Sequence, residues 1–260
     1  MEEKKHLFNA ATPLQAAFGR IIILADSAHS FGAVREGIPT GRLADFSAFS
    51  FHAVKNLTTA EGGALTWKPI SGFSNEEIYR KLQLMGLHGQ SKDALAKIQP
   101  GSWEYDIVGT YYKFNLTDIS AAIGLAQLTR YPQMLARRQE IISRYDAAFR
   151  PLGIITLPHQ TEKYSSSGHL YMARIPNIKA ETRNNIISKM AELGISCNVH
   201  YKPLPMLTAY KELGFDIKNY PNAYSMFENE ITLPLHTKLT DEQVEYIITC
   251  FTAIVKDITK

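Results

Sequence analysis

The sequence has few cysteines and no long apolar run. Of its 260 residues only two are cysteines, Cys197 and Cys250, and neither belongs to a Cys-x-x-Cys pair. No metal site is therefore indicated, and both are expected to be buried free thiols. No stretch approaches the roughly 20 apolar residues that span a bilayer, and the first residues, MEEKKHLFNA, contain no apolar signal core. A soluble cytoplasmic protein is predicted.

The sequence also lacks a large excess of charge of either sign. Lysine and arginine total 28, aspartate and glutamate total 25, and the net charge is +3. The densest basic spot is Arg137-Arg138, which is not the basic stripe that nucleic-acid binding requires. Nucleic acid is therefore not an expected partner. Hydrophobic residues make up 45% of the chain, enough for a sizeable core, and the length predicts about one to two domains.

The residue patterns of the first half predict an α/β arrangement. A run of five apolar residues at 21–25 predicts a fully buried strand of a mostly parallel sheet, and further strands are expected at 46–51 and 64–67. A helix is expected at 74–85, followed by a loop at 86–101. A long helix from residue 118 should be interrupted at Pro132 and resume as far as 149.

The second half predicts a smaller α+β domain. Strands are expected at 154–157, 169–175 and 195–199, and helices at 180–193 and 241–258. The last helix follows a capping box formed by Thr240 and Gln243. We therefore expect one domain over residues 1–132 and another over 133–260, linked by the long helix at about 118–149.

Two ionisable residues follow predicted strands of the first domain. Lys55 comes after the apolar stretch 45–51, and Asp26 ends the run 21–25. An amine at the end of a buried strand is desolvated, which lowers its pKa and suits it to Schiff-base chemistry. Lysine with a buried aspartate is the pair that pyridoxal phosphate (PLP) requires, as Schiff-base former and partner of the pyridine nitrogen. The alternatives are a surface lysine, and a turn or helix N-cap role for Asp26.

Three segments extend this pattern: ADSAHSFGA at 25–33, SFHAVKNLTTAEGG at 50–63 and NLTDISAAIGL at 115–125. Together they resemble the DegT/DnrJ/EryC1/StrS family of sugar aminotransferases, which are PLP enzymes of aspartate-aminotransferase fold type I. The resemblance implies transfer of an amino group from glutamate or glutamine to a keto group of a nucleotide-linked sugar. It also implies a homodimer, because the family builds each site from two subunits. Polysaccharide or other sugar biosynthesis is the expected role.

The resemblance implies a role for each matching residue. Lys55 would hold PLP covalently and, once released, move a proton between the substrate carbon and the cofactor. Asp26 would pair with the pyridine nitrogen, His29 would lie beside the ring, and Ser50 would bind the phosphate. Asn115 would reach the phosphate held by the neighbouring subunit.

A segment of the second domain also matches the family. VHYKPLP at 199–205 resembles a His-Tyr-x-Pro segment near the sugar-nucleotide site, which implies substrate contacts for His200 and Tyr201. A structural role is the alternative for such a pair. For Asn115 the alternative is a place in the N-terminal region of the long helix, where asparagine is common.

The resemblance finally implies a longer protein. Family members begin well upstream of the Asp26 strand, and the residues before Ile21 match neither the phosphate-binding turn nor the ring-stacking residue expected there. The chain is therefore expected to be N-terminally truncated, with an incomplete large domain. A catalytically incompetent remnant that acts as a folded or partnering module is the alternative to an active aminotransferase. A PLP sugar dehydratase is disfavoured, because those relatives lack the lysine.

Overall fold

The computed structural model describes residues 2–91 and 103–258 of the chain. The chain divides into two compact units. The first comprises Met1–Phe31 and Ile38–Leu128, and the second comprises Gly32–Gly37 and Thr129–Lys260. The domain boundary predicted at residue 132 stays a prediction, and most of the loop predicted at 86–101 lies outside the described residues.

The first unit contains a three-stranded mixed sheet in the order β1 (Leu24–Asp26), β4 (Phe46–Ser50), β5 (Gly63–Trp67). Its central strand pairs in parallel with β1 and antiparallel with β5. The strands of this unit are β1 (Leu24–Asp26), β3 (Ile38–Pro39), β4 (Phe46–Ser50) and β5 (Gly63–Trp67). Its helices are α1 (Pro13–Phe18), α2 (Asn75–Gly86) and α3 (Asp118–Leu128). The predicted strands at 46–51 and 64–67 and the helix at 74–85 are confirmed.

The prediction of a fully buried strand at 21–25 is wrong. Only Leu24–Asp26 forms a strand, and Leu24 is 65% exposed and Ile21 66% exposed. An apolar run indicates that a strand is suited to burial, but another element must cover it. Within the described residues β1 lies at the edge of its sheet, with β4 on one side only.

An ion pair stabilises the parallel pair β1 and β4 where both strands begin. Arg20 donates two hydrogen bonds of 2.7 Å to the carboxylate of Asp45, which also accepts from the backbone N–H of Ile23 at 2.9 Å. The Asp45 carboxylate is buried, and these donors hold its pKa below the usual value of 3.8, the Arg20 hydrogen bonds most strongly. Because Ile23 directly precedes β1 and Asp45 directly precedes β4, this carboxylate aligns the two strands where both begin.

The second unit has a continuous apolar core on an antiparallel sheet. Its strands are β2 (Val34–Arg35), β6 (Ile155–Thr156), β7 (Tyr164–Ser165), β8 (Tyr171–Arg174) and β9 (Glu230–Leu233). Its helices are α4 (Tyr131–Phe149), α5 (Ala180–Glu192), α6 (Thr208–Glu212), α7 (Pro221–Phe227) and α8 (Asp241–Ile258). The sheet runs β6-β8-β9, and apolar residues of α4, α5 and α8 form the core with it.

Aromatic side chains hold the centre of this core. The rings of Tyr145 and Tyr171 lie 4.9 Å apart, and Phe149 and Phe251 lie 5.1 Å apart. All four side chains are fully buried. Burial raises the pKa of both tyrosines far above 10. The Tyr145 hydroxyl donates to the Pro234 carbonyl at 2.9 Å, and the Tyr171 hydroxyl donates to the Asp146 carboxylate at 2.9 Å.

Three local predictions for this unit have different outcomes. The capping box is confirmed, since Thr240 and Gln243 exchange hydrogen bonds at the start of α8. The strand predicted at 195–199 is wrong: there, the described chain forms only an isolated bridge between Asn198 and Thr232. The two cysteines are free, as expected, but half-buried rather than buried.

Pro132 does not interrupt a continuous helix as predicted. The break falls at Thr129 and Arg130, and Pro132 lies in the first turn of α4. A proline is tolerated there because the first N–H groups of a helix have no intrahelical partner.

We expect Asp45→Asn to lower the free energy of unfolding by roughly 3 kcal/mol, because it leaves the Arg20 guanidinium without a charged partner. Urea denaturation measures the effect, and Glu76→Gln is the control because it removes an exposed ion pair with Arg80. The pKa of Asp45 in the folded state lies below the usual 3.8. The stability that its ion pair contributes is therefore complete above pH 3.8 and is lost as the pH falls through the folded-state pKa. Equal effects of both substitutions would contradict the assignment.

Candidate active site

The carboxyl ends of β1 and β4 meet at one edge of the first unit's sheet. Asp26 ends β1 and lies in register with Ala48 of β4, and Ser50 ends β4 two residues later. Since the two strands are parallel, their carboxyl ends necessarily share an edge. In open α/β sheets this edge is the usual position of ligand sites.

Asp26 is exposed, so the prediction of a buried aspartate is wrong for the described chain. Its carboxylate accepts a hydrogen bond of 3.1 Å from the backbone N–H of Ala28, and this bond closes a turn directly after the strand. His29 is half-buried in the same turn. The carboxylate is thus oriented by the backbone at the end of β1 and retains acceptor capacity for a ligand.

Lys55 lies in a compact loop, residues 51–62, which we term the lysine loop. At its base, the Phe51 N–H donates to the Gly62 carbonyl at 2.8 Å, and the Phe51 carbonyl accepts from Thr59 N–H at 2.9 Å. Lys55 itself is half-buried, and its N–H donates to the carbonyl of His52 at 2.9 Å. The loop therefore has its own hydrogen-bonded frame directly after Ser50.

Helix α3 contacts the lysine loop. The Gln127 side chain accepts from the Thr58 N–H at 3.2 Å and donates to the Thr58 carbonyl at 2.5 Å. A Cβ atom on Gly124 would come within 3.0 Å of the Thr59 side chain, so the helix backbone approaches the loop closely. Sequence analysis missed Gln127, although its position on the helix that follows Asn115 could have suggested a contact.

Close packing at the end of this loop leaves no room for a side chain at Gly62 or Gly63. A Cβ on Gly62 would lie 2.4 Å from Thr59 Oγ1 and 2.8 Å from Leu116 Cδ1, and one on Gly63 would lie 2.6 Å from the Phe49 carbonyl oxygen. Leu116 directly follows Asn115, so the segment that contains Asn115 is held against the lysine loop. Asn115 is exposed, and its Oδ1 accepts a hydrogen bond from Lys113.

His200 and Tyr201 lie in the second unit, and Asp26, His29, Ser50, Lys55 and Asn115 lie in the first. The rings of His200 and Tyr201 are 4.6 Å apart and perpendicular, and both residues line a cavity of about 280 Å³. The His200 N–H donates to Glu230 Oε2 at 2.9 Å, and its Nδ1 is 2.8 Å from Thr232 Oγ1. Sequence analysis missed Glu230 and Thr232, because strand β9 was not predicted.

The described residues contain neither a cluster of metal-ligating side chains nor a helix suited to a bilayer. No group of three or more His, Cys, Asp or Glu side chains within 2–91 and 103–258 is arranged to hold a metal ion. None of the helices in that part of the chain has the length and apolar character needed to cross a bilayer.

The arrangement is the α/β fold of the fold type I PLP-dependent transferases, as predicted. The model of the DegT/DnrJ/EryC1/StrS aminotransferase family matches residues 15–252. The chain belongs to this family.

Relatives of known name support the same assignment. The spore coat polysaccharide biosynthesis protein SpsC of Bacillus subtilis is 34% identical over 240 residues, which are 91% of this chain and 60% of SpsC. A UDP-4-amino-4,6-dideoxy-N-acetyl-beta-L-altrosamine transaminase of Campylobacter jejuni is 30% identical over 241 residues, 92% of this chain and 60% of that enzyme. The chain thus spans about three fifths of the length of these curated relatives.

A solved structure is closer in sequence. The Streptococcus pneumoniae protein Spr1654, in its PMP form, superimposes with a TM-score of 0.93 and 56% identity. The match covers 99% of this chain and 64% of that structure.

We expect Gly62→Ala to lower the free energy of unfolding by about 1–3 kcal/mol, because the added methyl group overlaps Thr59 and Leu116. Urea denaturation measures the change, and hydrogen exchange at residues 56–62 should rise with it. Gly86→Ala is the matched control, since its Cβ would lie an ordinary 3.7 Å from Phe114. A tolerated Gly62→Ala would show that the loop and residue 116 do not pack as described.

Proposed function

We propose that this chain is part of a PLP-dependent aminotransferase that transfers an amino group from glutamate or glutamine to a keto group of a nucleotide-linked sugar. The observation that carries the proposal is the position of Lys55, in a structured loop that follows Ser50 at the sheet edge where Asp26 also ends its strand. The Spr1654 structure in its PMP form and the two named sugar-pathway relatives support it. The cytoplasmic location inferred from the sequence stays a prediction.

The donor set at this edge fits PLP. An amine, a carboxylate, an imidazole and a hydroxyl come from Lys55, Asp26, His29 and Ser50, and each matches one part of the cofactor. PLP, when bound, supplies an electron sink for the substrate carbon. The exposed carboxylate of Asp26 would then hold the proton on the pyridine nitrogen, and the Ser50 hydroxyl would donate to the phosphate.

Lys55 has two roles in the proposal. Its Nζ atom would hold the cofactor covalently before substrate enters and would afterwards carry a proton to and from the substrate carbon. The hydrogen-bonded frame of the lysine loop, with α3 packed on Thr58 and Thr59, would keep this amine in position. His29 would lie beside the ring.

The substrate assignment rests on the second unit. His200 and Tyr201 line a cavity and offer an imidazole and a phenol, which suit the hydroxyl groups of a sugar. The Campylobacter jejuni relative is named for a UDP-linked sugar, and SpsC for polysaccharide biosynthesis. These names support a nucleotide-linked keto sugar as the amino acceptor.

We expect PLP to produce a visible absorbance band with this chain and, after borohydride reduction, a stable mass adduct on the peptide that contains Lys55. Lys55→Ala should abolish the band and the adduct, whereas Lys68→Ala, a matched control after β5, should preserve both. An adduct spread over several lysines, or none, would contradict the proposed site and favour the incompetent remnant. The amino-transfer step is then tested by adding glutamate, which should convert bound PLP to the pyridoxamine form.

We also propose a homodimer in which Asn115 reaches the cofactor phosphate of the other subunit. Large apolar side chains are exposed near Asn115: Tyr112 is 82% exposed, Phe114 66% and Ile119 78%. Patches of exposed apolar side chains mark protein interfaces. A second copy of the chain would cover them and bring Asn115 towards the other site.

We expect light scattering to give twice the chain mass of 29.2 kDa. Ile119→Asp should yield a monomer, because it introduces a charge into the proposed interface. Leu213→Asp is the control, since Leu213 is similarly exposed at 73% but lies in the second unit. A wild-type monomer would remove the proposed role of Asn115.

A further inference from the structure

Gln127, near the end of α3, joins that helix to the lysine loop through both ends of its side-chain amide. Its oxygen accepts the Thr58 N–H at 3.2 Å, and its nitrogen donates to the Thr58 carbonyl and, at 3.2 Å, to the Ile123 carbonyl of its own helix. The opposite orientation of the amide would place its oxygen against two carbonyls, so these contacts allow one orientation only. We term the Gln127 side chain and the two backbone groups of Thr58 the clamp.

Thr58 is also the residue that closes the first part of the lysine loop. Its hydroxyl donates to the Phe51 carbonyl at 3.1 Å and accepts the Ala60 N–H at 3.1 Å. The Phe51 carbonyl accepts the Thr59 N–H as well, at 2.9 Å, so residues 52–58 form a closed segment. The backbone of Thr58 is thus engaged by the helix and its hydroxyl by the loop, which makes this residue the junction between the two.

Lys55 lies at the centre of the closed segment 52–58. Its N–H donates to the His52 carbonyl at 2.9 Å, which fixes the backbone before it. On the other side, Leu57 is buried and Thr58 is held by the clamp. The backbone position of Lys55 relative to α3 therefore depends on the clamp.

The two roles proposed for Lys55 make different demands on this loop. While Nζ is bonded to the cofactor, the covalent bond itself keeps the amine at the site. Once substrate displaces it, the amine is held by its own backbone alone. The neutral amine then takes a proton from the substrate carbon, the electron pair of that C–H bond passes to the electron sink, and the ammonium returns the proton. This transfer requires the amine within hydrogen-bond reach of the proton.

We propose that Gln127 is a positioning residue for the released amine of Lys55. The clamp keeps the closed segment in place while Nζ carries the proton, and Gln127 acts through Thr58 without touching the reacting atoms. This role rests on the proposed function, in which Lys55 carries that proton. The clamp itself belongs to the chain without cofactor, so it can be tested separately.

Amide hydrogen exchange tests the clamp on the chain without cofactor. Gln127→Met keeps the length and helix propensity of the side chain but removes every hydrogen bond of the clamp. We expect exchange at the Thr58 and Thr59 amides to rise about tenfold, as for one lost hydrogen bond. Gln83→Met is the matched control, because Gln83 lies on α2 and donates to the Tyr79 hydroxyl. Unchanged exchange at both amides in Gln127→Met would overturn the proposal.

Two reactions of the chain loaded with PLP test the positioning role. In Gln127→Met, the borohydride-trapped adduct at Lys55 should form to the wild-type extent, because the covalent bond then holds the amine. Conversion of PLP to the pyridoxamine form by glutamate should slow about 10- to 100-fold, because the released amine is misplaced. Deuterium at Cα of glutamate should slow it further in this variant than in the wild type. Gln83→Met should match the wild type in both reactions.

The outcomes separate positioning from stability. Equal losses of adduct and of conversion in Gln127→Met would show a structural role and overturn the proposal, and so would conversion at the wild-type rate. If Gln127→Met does not fold, Gln127→Glu replaces it, because the carboxylate keeps an acceptor for the Thr58 N–H and loses the donor to its carbonyl. A wild-type chain that forms no adduct, or no pyridoxamine form, would overturn the proposed function and with it this role of Gln127.

Discussion

The parallel pairing of β1 with β4 is the constraint on which the candidate site depends. Three registered residue pairs, Leu24 to Asp26 with Phe46 to Ala48, bring the ends of the two strands to one edge. Asp45 secures the other end of this pair through Arg20 and the Ile23 N–H. A shift of register would move Asp26 away from Ser50. The carboxylate and the hydroxyl group, which the proposed cofactor needs close together, would then be separated.

The lysine loop depends in turn on α3. Gln127 satisfies both backbone groups of Thr58, and Gly124 lets the helix approach Thr59. The segment just before that helix contains Asn115, so the same helix packs on the loop that contains Lys55 and directly follows the segment with the residue proposed to serve a second subunit.

Local residue patterns were sufficient to predict much of the fold. The family, the strands that flank Lys55 and the Thr240–Gln243 capping box follow from residue patterns that act over a few positions. The errors concern tertiary partners: in the part of the chain that the structure describes, Ile21, Ile23 and Leu24 of the apolar run are exposed, and 195–199 forms a single bridge. Glu230 was missed because one of its partners, the backbone N–H of His200, is 30 residues away in sequence and reaches it only in the folded chain.

The distribution of tryptophan makes the two units distinguishable by spectroscopy. The chain has two tryptophans, Trp67 and Trp103, and both belong to the first unit. The second unit has instead the buried cluster of Tyr145, Phe149, Tyr171 and Phe251. Indole emission therefore reports on the unit with the lysine loop. The near-ultraviolet dichroism of buried tyrosine reports mainly on the other unit, because the tyrosines of the first unit, Tyr79, Tyr105, Tyr111 and Tyr112, are exposed.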